Sequence, residues 1–171
     1  MALRRKEQRR FLESEMWYLL LVLAEAKVCC SELGQPVGDV HPRSVFLNGQ
    51  GEAKLACLSS WPGQVTAYRR VVLEEDWGYL APEDMDRWKL GAMDNAVNPE
   101  AEVFAMGLVL LATSTHKDHQ DIYDLAEKEI NRHVLDARMR RFQHDFYYSE
   151  IFRATLTNLL SIDPTNRLTA Q

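Results

Sequence analysis

The sequence predicts a mainly α (α+β) domain, helical with short β-hairpins, and three observations carry that expectation. Phe11 to Leu33 contains no Pro or Gly and is rich in Leu, Ala and Glu, which favours a helix. Glu100 to Thr113 places apolar residues all round, the pattern of a helix buried on every side. Two short apolar triplets, Val45-Phe46-Leu47 and Lys54-Leu55-Ala56, flank Asn48-Gly49-Gln50-Gly51, which predicts two strands joined by a glycine-containing turn.

The first helix is expected to stop at Gly34, where a residue without Cβ suits the left-handed C-terminal cap. Ser59 to Leu80 carries Pro62, Gly63 and Gly78 with no sustained period and reads as a long loop; loops of that length are usually functional or held by a partner. Asp121 to Arg141 is charged and amphipathic, the expected pattern of an exposed helical region. In Tyr148 to Leu160, Ile151, Phe152, Thr155, Leu156, Leu159 and Leu160 fall at helical spacing ahead of Pro164. Repeats and low-complexity tracts are absent from the sequence.

A chain of 171 residues is about one domain and buries a substantial core. Its 46% hydrophobic and 26% charged residues are those of an ordinary globular protein. The net charge is −5, yet the first ten residues carry Arg4, Arg5, Lys6, Arg9 and Arg10 against Glu7 alone, so that end is +4 and the remainder −9. An acidic body argues against a broad nucleic-acid surface. The basic residues 1–10 read as an N-terminal extension or the solvated start of the first helix, with a targeting peptide as the competing reading; residues 11–171 form the domain. The longest apolar runs are about half the ~20 residues of a membrane span. Cys29, Cys30 and Cys57 form no disulfide framework, so an intracellular, reducing setting is expected, cytoplasmic or within a cytoskeletal, ciliary or organellar assembly.

The motifs that carry chemistry begin at Val37-Gly38-Asp39-Val40-His41-Pro42-Arg43-Ser44-Val45-Phe46-Leu47-Asn48, followed by Lys54-Leu55-Ala56-Cys57-Leu58-Ser59. Tyr79-Leu80-Ala81-Pro82-Glu83, Glu102-Val103-Phe104-Ala105-Met106-Gly107 and Ser161-Ile162-Asp163-Pro164-Thr165-Asn166-Arg167 follow in that order. Together they resemble the C-terminal (large) lobe of the protein kinase family, with the catalytic and metal-binding loops in degenerate form. The resemblance implies a kinase-like C-lobe with its hairpins at the former catalytic and metal-binding loops. It also implies that the N-terminal lobe is lacking, because the family's glycine-rich loop and strand lysine have no counterpart before the first helix.

Residue by residue, the resemblance leaves Asp39 at the position of the catalytic base, Ser44 at the metal-binding Asn and Cys57 at the magnesium-binding Asp. Val37 and Leu58 stand where two core-stacking side chains stand, and Phe46 replaces an aliphatic floor beneath adenine, where its ring is expected to fill the pocket. Phosphoryl transfer needs metal ions held by hard oxygen donors, and a thiol and a neutral hydroxyl are poor substitutes. The structural positions are kept: Glu83 and Arg167 match a buried ion pair, Glu102 the carboxylate that bonds the catalytic-loop backbone, and Gly107 the glycine of the central helix.

The expectation is a catalytically inactive, pseudokinase-like scaffold in a larger complex, with other protein subunits as partners and with no cofactor, metal, nucleic acid or membrane span. The alternatives are a nucleotide- or ligand-binding switch whose upper lobe comes from another chain and, more remotely, an active kinase fragment. The surface around Val37, Phe46, Leu47 and Leu58 is expected to lie uncovered. Elsewhere, His116, Asp118, His119 and Asp121 form a polar group that reads as a solvated turn, with a metal site as the minor alternative. Asp39, His41 and Ser44 include hydrolase-triad residue types, but no strand-to-helix elbow presents them.

Overall fold

The computed structural model describes residues 9–34, 37, 40–42, 44–55, 79–90, 98–117, 119–124, 126–145 and 147–168. Arg4 to Lys6, Gly38, Asp39, Cys57, Leu58, nearly all of the loop from Ser59 and Asp118 lie outside them. Helix α1 runs Glu13–Glu32, strands β1 (Val45–Leu47) and β2 (Ala53–Leu55) follow, and α2 (Pro82–Lys89) leads to α3 (Pro99–Thr115). After a 3₁₀ turn at Gln120–Ile122 come β3 (Tyr123–Asp124), β4 (Glu129–Ile130), α4 (Arg132–Gln143), α5 (Glu150–Leu159) and a last 3₁₀ turn at Pro164–Asn166.

Helix α3 is the axis of the fold, packed by α1, α2, α5 and the Pro164–Asn166 turn. Every residue from Ala101 to Ser114 is buried. Its polar residues survive there because their hydroxyls return to the preceding turn: Thr113 Oγ1 donates to the Val109 carbonyl at 2.7 Å and Ser114 Oγ to the Leu111 carbonyl at 3.0 Å. Asn98 caps its start and Pro99 occupies the first turn, where a missing N–H costs nothing. At Gly107 the end of α5 and the residue after it pack close: a Cβ there would lie 2.9 Å from Leu160 Cγ and Cδ2 and 3.0 Å from Leu159 Cβ.

Helix α1 begins at Glu13, so Arg9 and Arg10 precede it and do not form a helix start. The Glu15 carboxylate accepts the Leu12 N–H at 2.7 Å, fixing the first turn. Met16, Leu23, Lys27 and Cys30 make the buried stripe, and the helix ends as the left-handed Gly34 (φ 65°) follows Leu33. Cys29 is exposed and Cys30 buried, the two thiols on different faces.

The first hairpin pairs Val45 with Leu55, Phe46 with Lys54 and Leu47 with Ala53. Asn48 closes its turn by accepting the N–H groups of Gln50 and Glu52 on its side-chain oxygen, both at 2.9 Å. Tyr18 Oη accepts the Ala53 N–H at 3.1 Å and seats this hairpin on α1.

The region Asp121 to Arg141 is not one helix. It contains a second antiparallel hairpin, in which Tyr123 pairs with Ile130 and Asp124 with Glu129, and helix begins only at Arg132. The Asp124 side chain accepts the N–H groups of Ala126 and Glu127 at 3.1 Å, and Lys128 takes a left-handed φ of 54°. Those contacts form a turn inside a charged stretch, and Asn131 then caps α4 through the Val134 N–H at 3.2 Å. No helix among the described residues is long and apolar enough to cross a membrane.

Candidate functional site

The loop between α1 and β1 is anchored from the core. Glu102 in α3 accepts the Val37 N–H on Oε1 at 2.7 Å and pairs through Oε2 with Lys27 Nζ of α1 at 3.0 Å. Both side chains are about one-tenth exposed. The bond from Glu102 to loop backbone matches the expectation from its motif, whereas no motif marks Lys27 as its partner. Its signal was positional: Lys27 sits four residues after Leu23 and three before Cys30, on the buried stripe of α1, where an unpaired ammonium would be costly.

Val37 itself is 2% exposed, so it belongs to the core and not to an uncovered surface. The carboxylate on its N–H draws this end of the loop inward. Four residues past Val40, Ser44 closes a tight turn: its hydroxyl donates to the His41 carbonyl at 2.7 Å and lies 3.1 Å from the His41 N–H. The His41 ring packs edge-on to Tyr79, centroids 4.3 Å apart. Phe46 and Leu47 are each 59% exposed, and the Phe46 ring fills no pocket among the described residues. Pairing with Lys54 across a two-stranded sheet leaves that ring in solvent.

At the other end of the core, Arg167 holds Glu83 through two contacts, Nη1 to Oε1 at 2.5 Å and Nη2 to Oε2 at 2.9 Å. Arg167 also donates to the carbonyls of Ser161 (2.8 Å), Glu100 (2.8 Å) and Ile162 (3.3 Å), and its guanidinium lies 4.9 Å from the Phe104 ring centroid. Asn98, the α3 cap, donates to the same Glu83 oxygen at 3.4 Å. Asp163 organises the turn before Arg167, and the hydrogen bonds from Thr165 hold its carboxyl below the ordinary carboxylate range.

His119 is fully buried, not part of a solvated turn. The Arg138 guanidinium contacts both its Nδ1 and Asp121, so a cation already occupies the place a metal would take between these groups. His116 is committed elsewhere, its Nε2 2.9 Å from the Arg9 carbonyl. Among the described residues no cluster of metal-ligating side chains forms. Nearby, burial raises the Tyr123 hydroxyl well above its usual value, with Tyr79 and Asp84 adding to the shift; it donates to the Leu80 carbonyl at 2.7 Å.

This mainly helical fold with two small antiparallel sheets is like the large lobe of a protein kinase. No family model matches the chain. Over 168 residues, 93% of its length, it is 27% identical to Aurora kinase A-A of Xenopus laevis, a distant kinase-like relationship, and it spans 36% of that protein. Kinase chemistry requires magnesium held by hard, anionic or amide oxygens. Ser44, which the motif resemblance sets at the position of the family's metal-binding Asn, turns its neutral hydroxyl onto the His41 carbonyl of its own turn.

Proposed function

We propose that this chain is a degenerate, pseudokinase-like large-lobe module that does no phosphoryl transfer and serves as a structural, protein-binding component of a larger assembly. The observation that carries this reading is the contrast between the two kinds of position. Groups that hold the lobe together are satisfied several times over, as at Arg167 and Glu102, whereas Ser44 is spent on closing a turn. A metal-binding site is ordinarily supported by neighbours that aim its ligands outward; here the neighbouring groups direct the hydroxyl inward.

The protein-binding half of the reading rests on the hairpin and the helix beneath it. Phe46 and Leu47 on β1 and Tyr18, Leu21 and Val28 on α1 are all exposed, and Tyr18 joins the two elements. Exposed apolar groups gathered on adjoining elements mark contact surfaces more often than they mark solvated ones. The test is sedimentation of the full chain beside a Phe46→Asp/Leu47→Asp variant, with cross-linking in native material. The reading expects the wild type to self-associate or to cross-link to a partner, and the variant to lose both while keeping its helical content. A wild type that stays monomeric and cross-links to nothing would remove this support.

A further inference from the structure

A second surface, distant in sequence from the hairpin, is strongly basic on an acidic protein. Arg140, Arg141 and His144 are exposed in the last turn of α4 and just beyond it. Neither arginine makes an ion pair among the described residues, in contrast to Arg138, which is consumed by His119 and Asp121. The segment before α1 adds to them. Arg10 bonds Asp145, four residues after Arg141, with its guanidinium 5.3 Å from the Tyr147 ring centroid. The exposed Arg9 is tied down through its carbonyl to His116. Two segments remote in sequence thus supply four arginines, Arg9, Arg10, Arg140 and Arg141, together with His144, while Asp145 bonds Arg10 and Glu13 bonds Ser149 nearby. In sequence, Arg4, Arg5 and Lys6 lead directly into this segment.

A cation in the last turn of a helix interacts favourably with its dipole, which accounts for Arg140 and Arg141 and not for the arginines brought in by the segment before α1. The exposed Tyr147 ring lies against Arg10, and four residues on Ile151 is 72% exposed. We propose that this surface docks a carboxylate-rich segment of a partner protein. Guanidinium forks match carboxylates bidentately, and the neighbouring apolar groups suit a polypeptide. A bilayer or a nucleic-acid duplex extends well beyond such a patch. Either would also meet the acidic remainder of a chain of net charge −5, including the exposed Asp136 and Glu150 at its border. The inference concerns a surface other than the hairpin and stands whether or not the chain transfers phosphate.

The experiment measures fluorescence anisotropy of a labelled decaglutamate peptide with the full chain across a salt series. Vesicles containing phosphatidylserine and a short DNA duplex form separate arms. The expected result is peptide binding that weakens with salt and falls by about tenfold or more in Arg140→Glu/Arg141→Glu. The milder Arg141→Gln should fall between, and Lys54→Glu on the first hairpin should bind as the wild type does. Circular dichroism confirms that each variant is folded. Absence of peptide binding at low salt, undiminished binding by the double variant, or tighter binding of vesicles or duplex than of the peptide overturns the proposal.

Discussion

Replacing Arg167 with alanine is expected to destabilise the fold by about 3–5 kcal/mol, because it leaves a carboxylate and several carbonyls in the core without their shared donor. The Arg167 side chain is fully buried and Glu83 is about one-fifth exposed, so little water reaches the orphaned group. At about 2–4 °C per kcal/mol for a chain of this size, the midpoint of thermal unfolding should drop by about 6–20 °C. Arg167→Lys should rescue little, since an ammonium cannot reach both Glu83 oxygens and three carbonyls from one plane. Glu83→Ala should also destabilise, less steeply, because Arg167 keeps its carbonyl partners. A calorimetric scan that finds Arg167→Ala within a degree or two of wild type would mean the guanidinium is not what ties α2 and the Pro164–Asn166 turn to α3.

Glu102→Ala is expected to be comparably damaging, again by about 3–5 kcal/mol, since it strands the ammonium of Lys27 and the N–H of Val37 in the core. Lys27→Ala should cost a similar amount by leaving the carboxylate with the Val37 N–H alone. The informative variant is the double one. In Lys27→Met/Glu102→Leu both charges are gone, and the remaining deficit should shrink to about 1–3 kcal/mol, the cost of an unsatisfied Val37 amide. Urea unfolding of Lys27→Met, Glu102→Leu and the double variant completes the cycle; a double variant as unstable as the sum of the singles would show that the two groups do not act as a pair.

What the sequence disclosed follows from the range of the forces involved. α1, α3 and α5 were readable because apolar periodicity and caps are local, as at Gly34 and Pro99, and the first hairpin because Asn48 to Gly51 can only turn. The second hairpin was not, since Asp124 to Glu129 is charged enough to pass for a solvated helix face. Only the Asp124 turn and the burial of Ile122 and Tyr123 make it a strand pair. Lys27, buried His119 and the inward Val37 were equally hidden, because each is defined by a partner on another element: Glu102, Arg138 and, for Val37, Glu102 again. The exposure of Phe46 depends likewise on what does not pack over β1. By contrast Glu83 and Arg167, 84 positions apart, were visible only through the kinase resemblance of their separate motifs.

The most direct measurement is scanning calorimetry of the full chain with and without millimolar Mg·ATP. A ligand that binds only the folded state stabilises it by RT ln(1 + [L]/Kd), about 2.7 kcal/mol at a hundredfold excess over Kd. With Ser44 turned onto His41, the expected result is an unchanged midpoint. A reproducible rise that disappears in Ser44→Trp would contradict the scaffold reading and make this loop a nucleotide-binding switch.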